Sequence, residues 1–455
     1  MSDVDELQER KEQVTRLVNS KIIPSLKRIP KSVWIILVAV IVGLFGFFIR
    51  IANIARLKLT WAFPFVRLEK VNTLIDHTSG KYIPLALDPF VILRYVKEIV
   101  ATGMLSAHDA MRYYPVGFNP QAEFTVLATT IAYLYHFLHA IFPSVTIELV
   151  HVIYPAIAFF VGLIFFFLTV KQLFGYKVGL VAALLLTIVP SFLYRTMSGF
   201  ADKEALAMML LFISFYFFIR AWKTKKAMHA LLLGILAGVS TGINSLVWGG
   251  TAFVYMILGL FVVTSVMLEK FTKQDLFAYI GWFVATVYIA AFSTLSRTSF
   301  DGMAVSTTSG IMFFALALAF VYYFILKKDV LKIRAKVEKK LPLGLAAFLI
   351  TFGLIIVVTS ALFGLDFIPG KISNTVDSLI YPLGDRWSQT VAESHEPYIS
   401  DWFGQMGAVF VILFLVAGIV LFFDAFRPLK KQRITATVVY GTLLLLFIFS
   451  RYSSG

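Results

Sequence analysis

Eleven apolar runs, each close to the length that crosses a bilayer's roughly 30 Å of hydrocarbon, limit this 455-residue chain more than any other feature. They lie near 33–49, 146–170, 178–194, 205–219, 229–246, 249–268, 276–295, 308–326, 341–363, 404–423 and 434–450. A backbone in lipid must satisfy its own hydrogen bonds, which leaves helices and closed barrels. Barrel strands need only about 10 residues, so runs of this length predict helices. Phenylalanine occurs 45 times and charged residues make up 15%, against about 25% in soluble domains. The expected fold class is therefore an all-α integral membrane protein.

The net charge of +15 would suit a nucleic-acid binder if it formed a patch on a soluble domain, but no such domain is visible. The basic residues instead cluster in short blocks between apolar runs, as in cytoplasmic loops, and no nucleic-acid partner is expected. A twelfth run, 124–142, carries His136, His139 and three threonines. If it does not cross and residues 1–32 are cytoplasmic, 26 of the 41 Lys and Arg fall in the inner segments. If it crosses, the seven basic residues of 327–340 face the opposite side from the seven of 1–32. The expectation is eleven spans, with 124–142 lying at the outer interface and the first span acting as an uncleaved anchor. Two large segments then face outward, about 50–145 and about 364–403, in a multi-pass protein of the cell membrane. The second contains Gly364, Pro369, Gly370, Pro382, Gly384 and Pro397 with little periodicity, and reads as a loop.

There is no cysteine, so thiolate ligands and nucleophiles are excluded. The middles of the spans carry essentially no ionisable residues, which counts against an ion-coupled transporter. Candidate chemistry sits at the outer surface, in Asp88-Pro89-Phe90 followed by Arg94, in Arg195 through Glu204, and in Thr390-Val391-Ala392-Glu393. Asp202 and Glu204 project to one side of an extended segment. Two such carboxylates suit a hard divalent cation; equally, they suit the positive end of the helix that follows. Asp88 before a proline also reads as a turn residue, and Glu393 as a solvated acid. Glu148 and His151 share a helix face and read as interfacial polar residues.

Taken in order, these segments resemble the membrane domain of single-subunit oligosaccharyltransferases, the enzymes of N-linked glycosylation, especially the archaeal branch. The resemblance is carried by Asp88-Pro89-Phe90 with Arg94, by Arg112-Tyr113-Tyr114-Pro115, and by Arg195 seven residues before Asp202-Lys203-Glu204-Ala205. It continues through Asn244-Ser245-Leu246-Val247-Trp248-Gly249-Gly250 to Thr390-Val391-Ala392-Glu393, and covers the chain from about Asp88 onward.

That resemblance implies a GT-C type membrane fold over residues 33–455, after a cytoplasmic segment 1–32. It implies transfer of an oligosaccharide from a polyprenyl (dolichyl) phosphate or diphosphate carrier to Asn of Asn-X-Ser/Thr. By position, Asp88, Asp202 and Glu204 would bind Mn²⁺ or Mg²⁺, and Asp88 and Glu393 would hold the acceptor carboxamide. Arg195 would lie near the catalytic acids, and Arg451 would meet the lipid-linked phosphate. Other readings are a polyprenyl-phosphate sugar transferase such as a protein O-mannosyltransferase, or a lipid or solute transporter. The family also has a soluble C-terminal domain with a Trp-Trp-Asp-Tyr-Gly motif. No two of the seven tryptophans here are adjacent, so the chain as given is expected to lack that domain.

Overall fold

The computed structural model describes residues 30–59, 66–71, 73–380 and 399–425. The expected span 434–450, Glu393, Arg451 and nearly all of 1–32 lie outside the described residues. The rest is a helical bundle entered by α1 (Lys31–Arg50). The segment that follows carries a short antiparallel hairpin, β1 (Ala55–Leu59) and β2 (Val66–Lys70), in which Ala55 pairs with Lys70 and Leu59 with Val66. Both strands alternate apolar and charged residues, the period of a ribbon and not of a helix. Then come α2 (Leu87–Thr102), α3 (Gln121–Ile141) and the long α4 (Ile147–Phe174). Pro155 sits inside α4 without interrupting it.

The next expected span, 178–194, is two helices: α5 (Tyr176–Ile188) and α6 (Pro190–Thr196), bent by 66°. Pro190 has no N–H to give and its ring would clash one turn back, so α5 stops and Pro190 opens α6. α7 (Lys203–Lys223), α8 (Ala227–Val247), α9 (Ala252–Met267) and α10 (Lys273–Phe292) then run back and forth. After the short α11 (Phe300–Val305), α12 (Gly310–Phe320) continues into a π-helical turn, Val321–Lys327. α13 (Arg334–Glu338) and α14 (Leu343–Phe363) follow.

Two expectations change near the end. The segment 364–403 is not wholly a loop, because α15 (Phe367–Ile380) occupies its first part. Gly364, at φ +91°, ends α14, and Pro369 falls in the first turn of α15, where no donor is required. The run 404–423 is broken at Gly407, φ +82°, into α16 (Ile399–Met406) and α17 (Ala408–Ala425), bent by 100°. Among the described residues, eight helices are long and apolar enough to span a membrane, or ten if each bent pair counts once. The apolar part of α3, Thr125–Ile141, is shorter than these. One of its faces is buried through Leu127, Ala128, Ile131 and Ala132, while Tyr133 and Phe137 on the other are exposed.

Lipid tails are as apolar as leucine, so close packing and buried hydrogen bonds hold such a bundle together. α8 meets α10 through Gly234, Gly238 and Gly242, one per turn. A Cβ on Gly238 would stand 2.4 Å from the Trp282 carbonyl oxygen. Around this seam Trp282 Nε1 donates to Thr241 Oγ1 at 3.0 Å, and Ser240 Oγ donates to the Leu210 carbonyl at 2.7 Å, tying in α7. A second cluster joins α2, α3, α4, α7 and α8 through Ile92, Tyr95, Ile131, Tyr154, Leu206 and Val247. It fixes the start of α2 beside the start of α7.

Candidate active site at the start of α7

Asp202 is the N-cap of α7, with extended backbone, and its side chain accepts from Lys203 N at 2.7 Å. Glu204 follows in the first turn. Both helix-end and extended-loop expectations are thus partly met, since the helix begins between the two acids. Anions are favoured at this end of a helix, but that does not account for the burial of Asp202. Asp202 is 5% exposed. Burial pushes its carboxyl above the ordinary value, the Lys203 N–H opposes this, and the charge of Asp88 adds to the upward push. Glu204 Oε2 is buried and, among the described residues, has no hydrogen-bond partner. Its Oε1 lies 3.5 Å from Arg195 Nη1, and the Arg195 guanidinium also stacks 5.0 Å from the Phe200 ring.

Asp88 stands exposed in the first turn of α2, within electrostatic reach of Asp202. The fold therefore brings Asp202, Glu204 and Arg195 together, with Asp88 near Asp202 alone. Among the described residues, no three His, Asp or Glu side chains already stand close enough to hold a metal ion. An orphaned buried carboxylate oxygen beside a second buried carboxylate is nonetheless the oxygen donor chemistry that suits Mg²⁺ or Mn²⁺.

The segment between Arg195 and Asp202 is held from behind by a residue that sequence reasoning missed. Arg50, at the end of α1, is fully buried. Its Nε donates to Thr196 Oγ1 at 2.7 Å, and its Nη1 donates to the carbonyls of Thr187 at 3.0 Å and Gly46 at 3.2 Å. The Thr187 carbonyl is one that the Pro190 break leaves without an intrahelical donor, so a cation caps the end of α5. The guanidinium lies 3.3 Å from the Phe159 ring centroid. The Arg50 carbonyl accepts from Ser198 N at 2.9 Å, and Asn53 Nδ2 donates to the Ser198 carbonyl at 2.7 Å. Gly199 N donates to the Val152 carbonyl, and the Gly199 carbonyl accepts from Leu85 N. Gly199 must be glycine, because its φ is +91° and a Cβ would meet Leu74 at 2.7 Å. The available signal for Arg50 was an arginine ending the first span on the side that is poor in basic residues.

Arg94 does not face Asp88. It forms a two-point ion pair with Asp109, with Nη1 to Oδ1 at 2.8 Å, and Tyr95 Oη donates to Asp109 Oδ2 at 2.7 Å. The Arg94 guanidinium is the main reason the Asp109 carboxyl falls to about 2. Arg112 stacks 4.0 Å from Phe118. Glu148 and His151, near the start of α4, are covered by protein. Both are buried, because α2 packs over this end of α4, and Glu148 pairs with Lys97 at 2.8 Å and Lys81 at 3.8 Å. Among the described residues, both His151 ring nitrogens and both Asn244 amide atoms lack partners. Where α8 ends, Ser245, Trp248, Tyr255, Arg297, Ser306 and Thr308 line a cavity of about 190 Å³.

The same arrangement of helices recurs in solved structures. The apo oligosaccharyltransferase of Archaeoglobus fulgidus is 19% identical with a TM-score of 0.68, over 93% of this chain and 49% of that one. The A. fulgidus enzyme AglB in complex with an inhibitory peptide and a dolichol-phosphate gives 0.65 at 19% identity, over 93% of this chain and 48% of that one. At this identity the likeness establishes the fold, a multi-span helical domain of the GT-C type. Among curated proteins, the STT3 subunit of the Saccharomyces cerevisiae dolichyl-diphosphooligosaccharide–protein glycosyltransferase is 27% identical over 235 residues, 50% of this chain and 32% of that protein. A dolichyl-phosphooligosaccharide-protein glycotransferase of Methanococcus voltae is 25% identical over 231 residues, 47% of this chain and 25% of that protein. The matches thus span about a third or less of these relatives. The family model described as oligosaccharyl transferase STT3, N-terminal, matches residues 65–400, most of the chain, including Asp88, Arg195, Asp202 and Glu204, and the chain belongs to that family.

Proposed function

We propose that this chain is the membrane-embedded catalytic part of an oligosaccharyltransferase, with its site at the outer face of the cell membrane. In this reading it moves an oligosaccharide from a dolichyl-type phosphate or diphosphate carrier to Asn of Asn-X-Ser/Thr. The observation that carries the reading is the buried Asp202 beside the half-buried Glu204 at the start of α7, one buried oxygen of Glu204 unpartnered among the described residues, with Asp88 within electrostatic reach of Asp202. Residues 1–32 are cytoplasmic and 33–455 form the membrane domain.

Asp88, Asp202 and Glu204 are the residues that hold a divalent cation, Mn²⁺ or Mg²⁺. Binding by all three requires Asp88 to move inward from its exposed position. The bound ion supplies positive charge against the negative charge that develops on the leaving phosphate. An amide nitrogen is a poor nucleophile because its lone pair is delocalised into the carbonyl. Asp88 and Glu393 accept hydrogen bonds from the acceptor carboxamide N–H groups and turn it out of conjugation. The nitrogen then attacks the anomeric carbon, a C–N bond forms, and the C–O bond to the carrier phosphate breaks. The phosphate keeps the electron pair and a carboxylate takes the amide proton. Attack opposite the leaving group inverts the anomeric centre. Arg195 holds Glu204 in place, and Arg451 meets the carrier phosphate.

The test uses membranes in which this chain is joined to the family's soluble C-terminal domain, with a radiolabelled lipid-linked oligosaccharide and Mn²⁺. An Asn-X-Thr peptide should be glycosylated and an Asn-X-Ala peptide should not. Asp202→Ala should abolish transfer together with the thermal stabilisation of the purified chain by Mn²⁺. Unchanged stability and transfer after chelation would remove the cation from the proposal. Equal labelling of both peptides would remove the sequon.

A further inference from the structure

Two apolar cavities meet on one basic ridge at the end of the bundle farthest from Asp202. α7 is capped by Asp202 and ends 21 residues later at Lys223, about 30 Å away at 1.5 Å per residue. That is the thickness of a bilayer's hydrocarbon. One cavity, about 490 Å³, runs along Leu173, Phe218, Ile219 and Phe261. The other, about 550 Å³, runs along Phe217, Leu232 and Leu233. Lys223 and Thr224 line both, so they form the wall between them. Lys225 adds a cation to the first cavity, and Arg220 and His229 add basic groups to the second.

The ridge is built into the surrounding helices. The Lys223 ammonium donates to the Gln172 carbonyl in the last turns of α4, and Gln274 Nε2 donates to the Lys225 carbonyl at 3.0 Å from the start of α10. No carboxylate is among the described residues lining either cavity. The 269–275 turn carries two acids outside both cavities: Asp275 is fully buried and its carboxylate accepts from Thr272 N and Oγ1 at 2.9 and 2.7 Å, and Glu269 Oε1 accepts from Gly344 N at 3.3 Å, so the cavity linings themselves carry only positive charge.

We infer that this end of the bundle binds an anionic phospholipid, its headgroup on the Lys223–Lys225 ridge and one hydrocarbon chain in each cavity. Charge sets the headgroup. Cationic side chains at a membrane boundary favour an anionic surface by roughly a fivefold factor each. The divided cavity sets the number of chains, because a single-chain polyprenyl phosphate would fill one side and leave the other open. The site is separate from the acids by the whole length of α7 and does not depend on the transfer reaction.

The purified full chain, stripped of lipid in detergent, is offered palmitoyl-oleoyl phosphatidylglycerol or phosphatidylcholine, and bound lipid is read by native mass spectrometry. Phosphatidylglycerol should be retained at least about tenfold better. Lys223→Gln with Lys225→Gln should erase that preference, whereas Lys270→Gln with Lys273→Gln, which removes the same charge outside both cavities, should keep it. Leu233→Trp fills the second cavity and should weaken phosphatidylglycerol several-fold, yet leave one-chain lyso-phosphatidylglycerol unchanged. Equal retention of the two lipids, or equal loss in both lysine pairs, would overturn the headgroup assignment. Lyso-phosphatidylglycerol or a polyprenyl phosphate binding as well as the two-chain lipid would overturn the divided-chain assignment. Phosphatidylglycerol binding that appears only after residues 1–29 are removed would mean that this chain's own N-terminal segment is the occupant.

Discussion

Replacing Arg50 tests how the candidate site is held. Its guanidinium makes three donated hydrogen bonds, to Thr196 Oγ1, the Thr187 carbonyl and the Gly46 carbonyl, and lies over the Phe159 ring. Hydrogen bonds from a charged donor contribute about 1.5–3 kcal/mol each, and a buried carbonyl left unpaired costs about 1–3. Against this, a fully buried cation that donates to carbonyls and a hydroxyl and lies against rings carries a desolvation cost of several kcal/mol. Arg50→Met loses the bonds but also sheds the buried charge, so its net cost should be small, on the order of 1 kcal/mol. Arg50→Lys keeps the charge, and its ammonium is more strongly hydrated and cannot reach Thr196 and Thr187 as a fork. It should cost about 3 kcal/mol. The expected thermal stability in detergent therefore falls in the order Arg, Met, Lys. Both variants should loosen residues 195–202, because the tie to Thr196 is gone in each. The chain has no cysteine, so a single Met197→Cys reports this directly: thiol labelling should speed up in both backgrounds. A lysine variant as stable as the parent, or labelling that does not change, would show that the fork does not position the segment.

Three further outcomes follow from the same structure. The Asp109 carboxyl is held near 2 by Arg94, below its unfolded value, so its contribution is present above about pH 4 and is lost as pH falls toward 2. With solvent screening at the partly exposed Arg94 it amounts to on the order of 1 kcal/mol, and in Asp109→Asn, followed by acid unfolding, that part of the pH dependence should vanish. Gly238→Leu should cost roughly 2 kcal/mol or more by thermal melting, because its Cβ would stand 2.4 Å from the Trp282 carbonyl oxygen; a neutral result would mean α8 and α10 pack less tightly than drawn. Single cysteines at Asp88 and Lys226 should give opposite answers to an impermeant thiol reagent in intact cells, labelled at 88 and protected at 226, and labelling at 226 would reverse the assigned sides.

The class of fold was legible in the sequence because lipid leaves so few alternatives. Run length alone separates helices from barrel strands, and the ten described spans or bent pairs fall where ten of the eleven runs were expected. The breaks at Pro190 and Gly407 are local backbone chemistry, and both residues were visible, yet whether a proline bends a span or rides inside it, as Pro155 does in α4, depends on whether a neighbour takes the freed carbonyl. At Pro190 that neighbour is Arg50, 140 residues earlier in the chain, and no local pattern connects them. The order of the acids was likewise legible, since Asp202 and Glu204 stand two apart in sequence and open an apolar run. The burial of Asp202 was not. It comes from α2 and α4 closing over the start of α7, which also buries Glu148 and His151, residues that a helix-end position alone assigns to the surface. Sequence determines which groups a chain offers to lipid and to water, because that depends on each segment's own length and charge. Which of those groups lose their water, and so acquire perturbed charge and unpaired oxygens, is decided only when distant segments pack together.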